Sequence, residues 1–116
     1  MRSGMRRLVM IGAVVAAVTS QALPAQAATT VTARCNFFSP ASVTVAHGST
    51  VTWRAGCRSH TITSYSSNWS KDTVLQTGQS TSRKFATKGV FKFRCRFHSS
   101  VSGGVCSGMC GKVKVT

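Results

Sequence analysis

From residue 30 to the end, apolar and polar positions alternate in short runs broken by Gly, Ser, Asn and Pro. Period-two alternation is the pattern of a strand with one buried face. Strands are expected at 30–35, 42–46, 50–54, 60–65, 79–86, 90–95 and 112–116. Val51 and Trp53 share one face of the third, and Phe91, Phe93 and Cys95 share one face of the sixth. The turns fall at His47-Gly48-Ser49 and Lys88-Gly89, and residues 66–78 read as polar and irregular around Trp69 and Leu75. No window carries helical spacing, and no repeat or linker divides the run. About seven to eight short strands with frequent turns predict an all-β fold, an antiparallel Greek-key β-sandwich or barrel.

The first 27 residues carry a different pattern. Arg2, Arg6 and Arg7 precede an apolar run from Leu8 to Val18, and Ala25-Gln26-Ala27 is a small-x-small cleavage site. This is the pattern of a secretory signal peptide, and the apolar run is too short to span a bilayer. The expected organisation is therefore 1–27 as signal and 28–116 as one extracytoplasmic domain, in a periplasm or cell-wall space. A domain of this size buries a modest core, so disulfides or a metal would help hold it.

Charge narrows the function classes. Three of the 15 Lys and Arg precede the cleavage point, so the remaining 12 against Asp72 alone give the domain a net charge of +11. One carboxylate all but excludes acid–base chemistry by paired acids, and no nucleophile–base pair or phosphate loop is present. Such a surface attracts anionic partners. For an exported protein these are acidic proteins or anionic surfaces rather than nucleic acid.

The cysteines are Cys35, Cys57, Cys95, Cys106 and Cys110. An odd count in an exported chain leaves one thiol over, and four cysteines permit three pairings that sequence does not choose between. Cys95 ends an inward face, His98 follows at Cys-x2-His spacing, Met109 starts the last strand, and His60 begins the fourth. Taken singly, each has an ordinary reading: disulfide partner, surface histidine, core filler. Together, one thiolate, two imidazoles and one thioether are the ligand set of a type 1 copper site. Structural zinc sites use four strong Cys or His donors instead. His47 sits in a turn at the other end and reads as a surface residue.

Four segments make the chain resemble the cupredoxins, the plastocyanin, pseudoazurin and amicyanin group. They are Phe38-Ser39-Pro40 with the strand after it, Gly48-Ser49-Thr50-Val51-Thr52-Trp53, Ser59-His60-Thr61-Ile62, and Gly89 to His98 followed by Gly108-Met109-Cys110-Gly111. The resemblance implies one copper held by His60, Cys95, His98 and Met109, with His98 as the solvent-edge ligand. It also implies an eight-stranded Greek-key sandwich.

The chain departs from the family pattern in three ways. The gap from His98 to Met109 is long, so residues 99–107 should enlarge the rim around the metal. The Asn or Asp that usually precedes the first ligand is missing, so a tie between the two ligand segments could be lost. Arg58, Arg94 and Arg96 make the region basic. The resemblance favours Cys57–Cys106 and Cys35–Cys110 as disulfides, with Cys106–Cys110 around Met109 as the alternative.

The expected function is one-electron transfer by Cu(II)/Cu(I) cycling in a monomer with no membrane span. An acidic redox partner would dock near His98. Copper scavenging or delivery, and a basic module binding anionic wall polymers, are the competing functions.

Overall fold

The computed structural model describes residues 29–116. The segment 1–27, expected as a signal, and residue 28 lie outside the described residues. Among the described residues there is no helix, and nine strands form two sheets. They are β1 (Thr29–Ala33), β2 (Phe38–Ser39), β3 (Ser42–Val45), β4 (Ser49–Ala55), β5 (His60–Ser64), β6 (Asp72–Leu75), β7 (Ser80–Phe85), β8 (Gly89–Ser102) and β9 (Val105–Val115). One sheet runs β2-β1-β4-β7 and the other β3-β9-β8-β5-β6.

Each expected strand is present. Two further strands are present: β2, between two expected strands, and β6, within the segment read as irregular. β2 pairs with β1 through only two residues, below the length at which alternation can be seen. β6 gains its order from pairing with β5, where His60 lies opposite Leu75 and Thr63 opposite Asp72. The sheets are mixed, because β1 runs parallel to β4 and β3 parallel to β9.

The alternation closes the core as expected. Val31, Val51, Trp53, Ile62, Phe93 and Val113 are fully buried between the sheets. Trp53 is central, with ring centroids 5.3 Å from Phe93 and 6.3 Å from Phe85. Trp69 stacks 6.1 Å from Trp53 and donates its indole N–H to the carbonyl of Lys92 at 3.0 Å. That bond fixes the irregular 66–71 segment over the core.

The long β8–β9 hairpin positions the site. Its ladder is regular from Gly89↔Val115 to Arg94↔Cys110, then resumes at Ser99↔Gly108. Residues 95–98 thus stand opposite Met109 alone, which makes a large β-bulge. A bulge bends a strand and re-aims its side chains. Beyond it the hairpin continues to Ser102↔Val105 and turns at Gly103-Gly104, with φ of 56° and 76°. Positive φ at both central residues is the geometry a two-residue hairpin turn demands and glycine supplies at little cost. The segment 99–107, expected as an enlarged rim, is therefore a paired hairpin arm. His47 lies at the far pole, with its ring Nδ1 3.0 Å from the carbonyl of Thr116.

Candidate metal centre

At the other pole β5 begins at His60 and the bulge presents Cys95 and His98. Donor atoms of the three lie within 4.8 Å of one another. Cys95 is the free cysteine and is fully buried, His60 is fully buried, and His98 is half-buried. Cys95 Sγ is 3.4 Å from His98 Nδ1. Met109 is fully buried opposite the bulge.

Hydrogen bonds define what each donor offers. His60 Nε2 meets the carbonyl of Cys57, so it carries the proton. That leaves Nδ1 as a lone pair, and this buried atom has no hydrogen-bond partner. Burial holds the His60 imidazole below its ordinary range, with the Cys57 bond opposing and His98 adding to the effect. A neutral ring with an orphaned buried lone pair, facing a buried thiol and a second imidazole, fits a metal of borderline softness. Copper, which the family resemblance implies, fits this set of donors.

Thr61, not singled out from sequence, ties the two ligand segments together. Its backbone N–H donates to Cys95 Sγ at 3.3 Å. Its hydroxyl accepts the backbone N–H of Arg96 at 2.8 Å. Thr63 Oγ1 lies 2.9 Å from Thr61 Oγ1 and 2.8 Å from Asp72 Oδ1. A hydroxyl has one proton, and the Asp72 carboxylate only accepts. Thr63 therefore donates to Asp72 and Thr61 to Thr63. Asp72 in turn binds Arg96 Nε at 3.0 Å, closing a ring of four partners beside Cys95. The feared loss of a side-chain tie is thus made good by threonine. A polar residue directly after His60 was the signal for it.

The disulfides correct one expectation and meet another. Cys35 pairs with Cys57, and Cys106 with Cys110. The favoured pairs Cys57–Cys106 and Cys35–Cys110 are not formed. The cause is the parallel register of β1 and β4, in which Ala33 stands opposite Ala55. Two residues further on, Cys35 and Cys57 meet with Cα atoms 4.9 Å apart. Cys106–Cys110, the alternative, closes a small ring that contains Met109. Gly108 lies in that ring with φ of 96°, and a Cβ there would sit 2.4 Å from the carbonyl oxygen of His98. Only glycine lets the two strands approach so closely beside the bulge.

The two sheets form a sandwich with a buried Cys and two His clustered at one pole, a donor group able to hold one metal ion. The Cupredoxin-like domain family matches residues 7–106, and the chain belongs to it. Met109 lies just past the matched span. No curated protein matches the chain. Among solved structures, a purple cupredoxin from Nitrosopumilus maritimus is 24% identical with a TM-score of 0.59, covering 76% of this chain and 99% of its own. A reduced amicyanin variant is 23% identical with a TM-score of 0.64, covering 77% and 82%. A copper-containing nitrite reductase from Thermus scotoductus is 18% identical with a TM-score of 0.62, covering 78% of this chain but 22% of its own. At these identities the likeness is one of fold.

Proposed function

We propose that the chain is an exported type 1 copper protein that carries single electrons, with His60, Cys95, His98 and Met109 as ligands. In this reading residues 1–27 direct export and 28–116 form the single copper domain. One observation carries it: a buried free thiol and a buried, unpartnered His60 Nδ1 converge with His98 within 4.8 Å. Copper supplies a one-electron couple when thiolate and imidazole hold it.

The chain's own groups set how that couple behaves. The Thr61 N–H stabilises negative charge on Cys95 Sγ, and hydrogen bonds at this sulfur tune the potential. The bridge through Cys57 fixes the carbonyl that orients His60. Met109 is held between two bonded cysteines. A ligand set fixed in this way reorganises little between oxidation states. It also disfavours copper delivery, which needs ligands that open.

His98 is the least buried of the four, so electrons enter and leave on its side. Arg58 and Arg96 are exposed at this end, and the partner that docks here is acidic. No catalysis is assigned. The nitrite reductase resembles this chain over about a fifth of its length, too little to transfer its activity.

The test is Cu(II) titration of the purified protein. An intense visible thiolate-to-copper band should form at one equivalent, bleach with ascorbate and return on reoxidation with copper retained against a chelator. It should be absent in Cys95→Ser. A colourless complex would overturn the ligand assignment. Loss of copper on reduction would replace electron transfer by copper handling.

A further inference from the structure

The cysteine pair that brackets Met109 lies within one strand, and that strand is folded up on itself. Four steps of extended strand cover roughly 13 Å, yet the Cα atoms of Cys106 and Cys110 are 6.2 Å apart. The chain doubles up at Gly108, whose φ of 96° lies in the left-handed region. Met109 follows directly and is fully buried. The Cys106–Cys110 bond therefore clamps the turn that carries Met109 into the interior.

The other bridge is placed differently. Cys35 and Cys57 follow two strands whose parallel ladder already brings them together, and the Gly56 N–H donates to the Ala33 carbonyl at 2.9 Å beside them. Backbone bonds keep those two residues close whether or not their sulfurs are joined. Cys106 and Cys110 instead belong to ladder segments on opposite sides of the bulge, where Cys106 pairs with Val101 and Cys110 with Arg94. Opening their bond frees the two segments to separate and the turn between them to lengthen.

This bridge is also open to attack. Both cysteines are half-buried. Cys110 alternates with Lys112 on the outer face of the five-stranded sheet, opposite Arg94 and Lys92. It lines a cavity of about 250 Å³ there with Tyr65, Lys92 and Lys112. The attacking species in thiol–disulfide exchange is a thiolate, and the two ammonium groups beside Cys110 draw an anion in.

We propose that Cys106–Cys110 is a redox-active disulfide. Its substrate is a dithiol that enters through the cavity beside Cys110, and its oxidation state governs how firmly Met109 is held. One thiolate of the dithiol attacks the Cys110 sulfur, forms a mixed disulfide and releases Cys106 as a thiol. The second thiol then displaces Cys110. The pair gains two electrons and two protons, and the dithiol leaves as a disulfide. The exchange needs no metal. In the copper reading it would tie thiol redox state to the placement of one ligand, and that consequence alone rests on that reading.

The test uses the purified metal-free protein, with glutathione as an anionic thiol and dithiothreitol as a neutral dithiol. Alkylation at timed intervals and peptide mass spectrometry report which bridge has opened. Cys106–Cys110 should open roughly tenfold or more faster than Cys35–Cys57 with either reagent. The Lys92→Gln/Lys112→Gln variant should slow glutathione by a factor of about ten and leave dithiothreitol little changed. Equal rates at the two bridges would overturn the exchange site. A glutathione rate unmoved by the lysine variant would overturn the entry route. Peroxide should oxidise Met109 about tenfold faster once this pair is reduced and capped, and likewise in Cys106→Ser/Cys110→Ser. Met109 as protected in both forms as in the bridged protein would overturn the coupling.

Discussion

The hydroxyl of Thr61 accepts the backbone N–H of Arg96 at 2.8 Å, so the residue after His60 grips the one after Cys95. Thr61→Val keeps the shape and removes the acceptor, leaving the Arg96 N–H without its partner. The expected cost is about 1–3 kcal/mol of stability. The Thr61 backbone bond to Cys95 survives, so the copper band should persist with a shifted potential. Thermal unfolding and voltammetry of the two proteins read the two effects. Unchanged values for both would remove Thr61 from the site's architecture.

Gly108→Ala tests the close approach at the bulge. A Cβ at this position meets backbone, 2.4 Å from the His98 oxygen, at a φ of 96°. Left-handed backbone alone costs roughly 1–2 kcal/mol for a residue with a Cβ. The clash adds to it and pushes His98 away from Met109. The variant should lose at least 2 kcal/mol or so and bind copper more weakly. Denaturant midpoints and copper competition titrations check this.

The two bridges should differ in weight. Cross-linking removes more unfolded-state entropy when the closed loop is longer. Cys35–Cys57 spans 22 residues and Cys106–Cys110 spans 4. Replacing the first pair by Ser should cost about 3 kcal/mol and replacing the second about 2 kcal/mol on that model. The site effects run by separate routes, through His60 orientation in the first case and Met109 placement in the second. Equal stability losses would contradict the entropic ordering.

Asp72 gives a pH dependence with a definite sign. The Thr63 hydroxyl, and then the Arg96 guanidinium, hold its carboxyl below the usual carboxylate range. Its pKa is therefore lower folded than unfolded. The stability it contributes is present above the unfolded value, about 4, and is lost as pH falls through the folded one. The pair is exposed, so the contribution is small. Melting temperatures of the protein and of Asp72→Asn should differ at neutral pH and converge at strongly acidic pH. A gap that widens on acidification would reverse the assignment.

The strands that carry the candidate site were legible because their alternation is strong, as in Phe91, Phe93 and Cys95. The convergence of His60, Cys95 and His98 followed from donor type and from placing each at a strand end. The Cys35–Cys57 bridge was not legible, since the two meet only through a parallel register between strands that are not consecutive. β6 was hidden for a related reason. Its order comes from β5, and its one buried side chain is Leu75. The hairpin arm had a readable mark in Gly103-Gly104, the turn pair that two-residue hairpins favour. The flanking serines weakened its alternation enough to hide it.

The bulge at 95–98 interrupts a ladder that resumes on its far side. The metal centre is therefore an inset in a continuous ribbon, framed on both edges by paired backbone. Adding or removing cross-strand pairs between Ser99 and Gly108 changes the height of the arm without touching the frame. The length of chain separating His98 from Met109 is thus a free variable of this architecture, and the arm's tip can accept foreign sequence as a handle for immobilisation while the inset stays as it is.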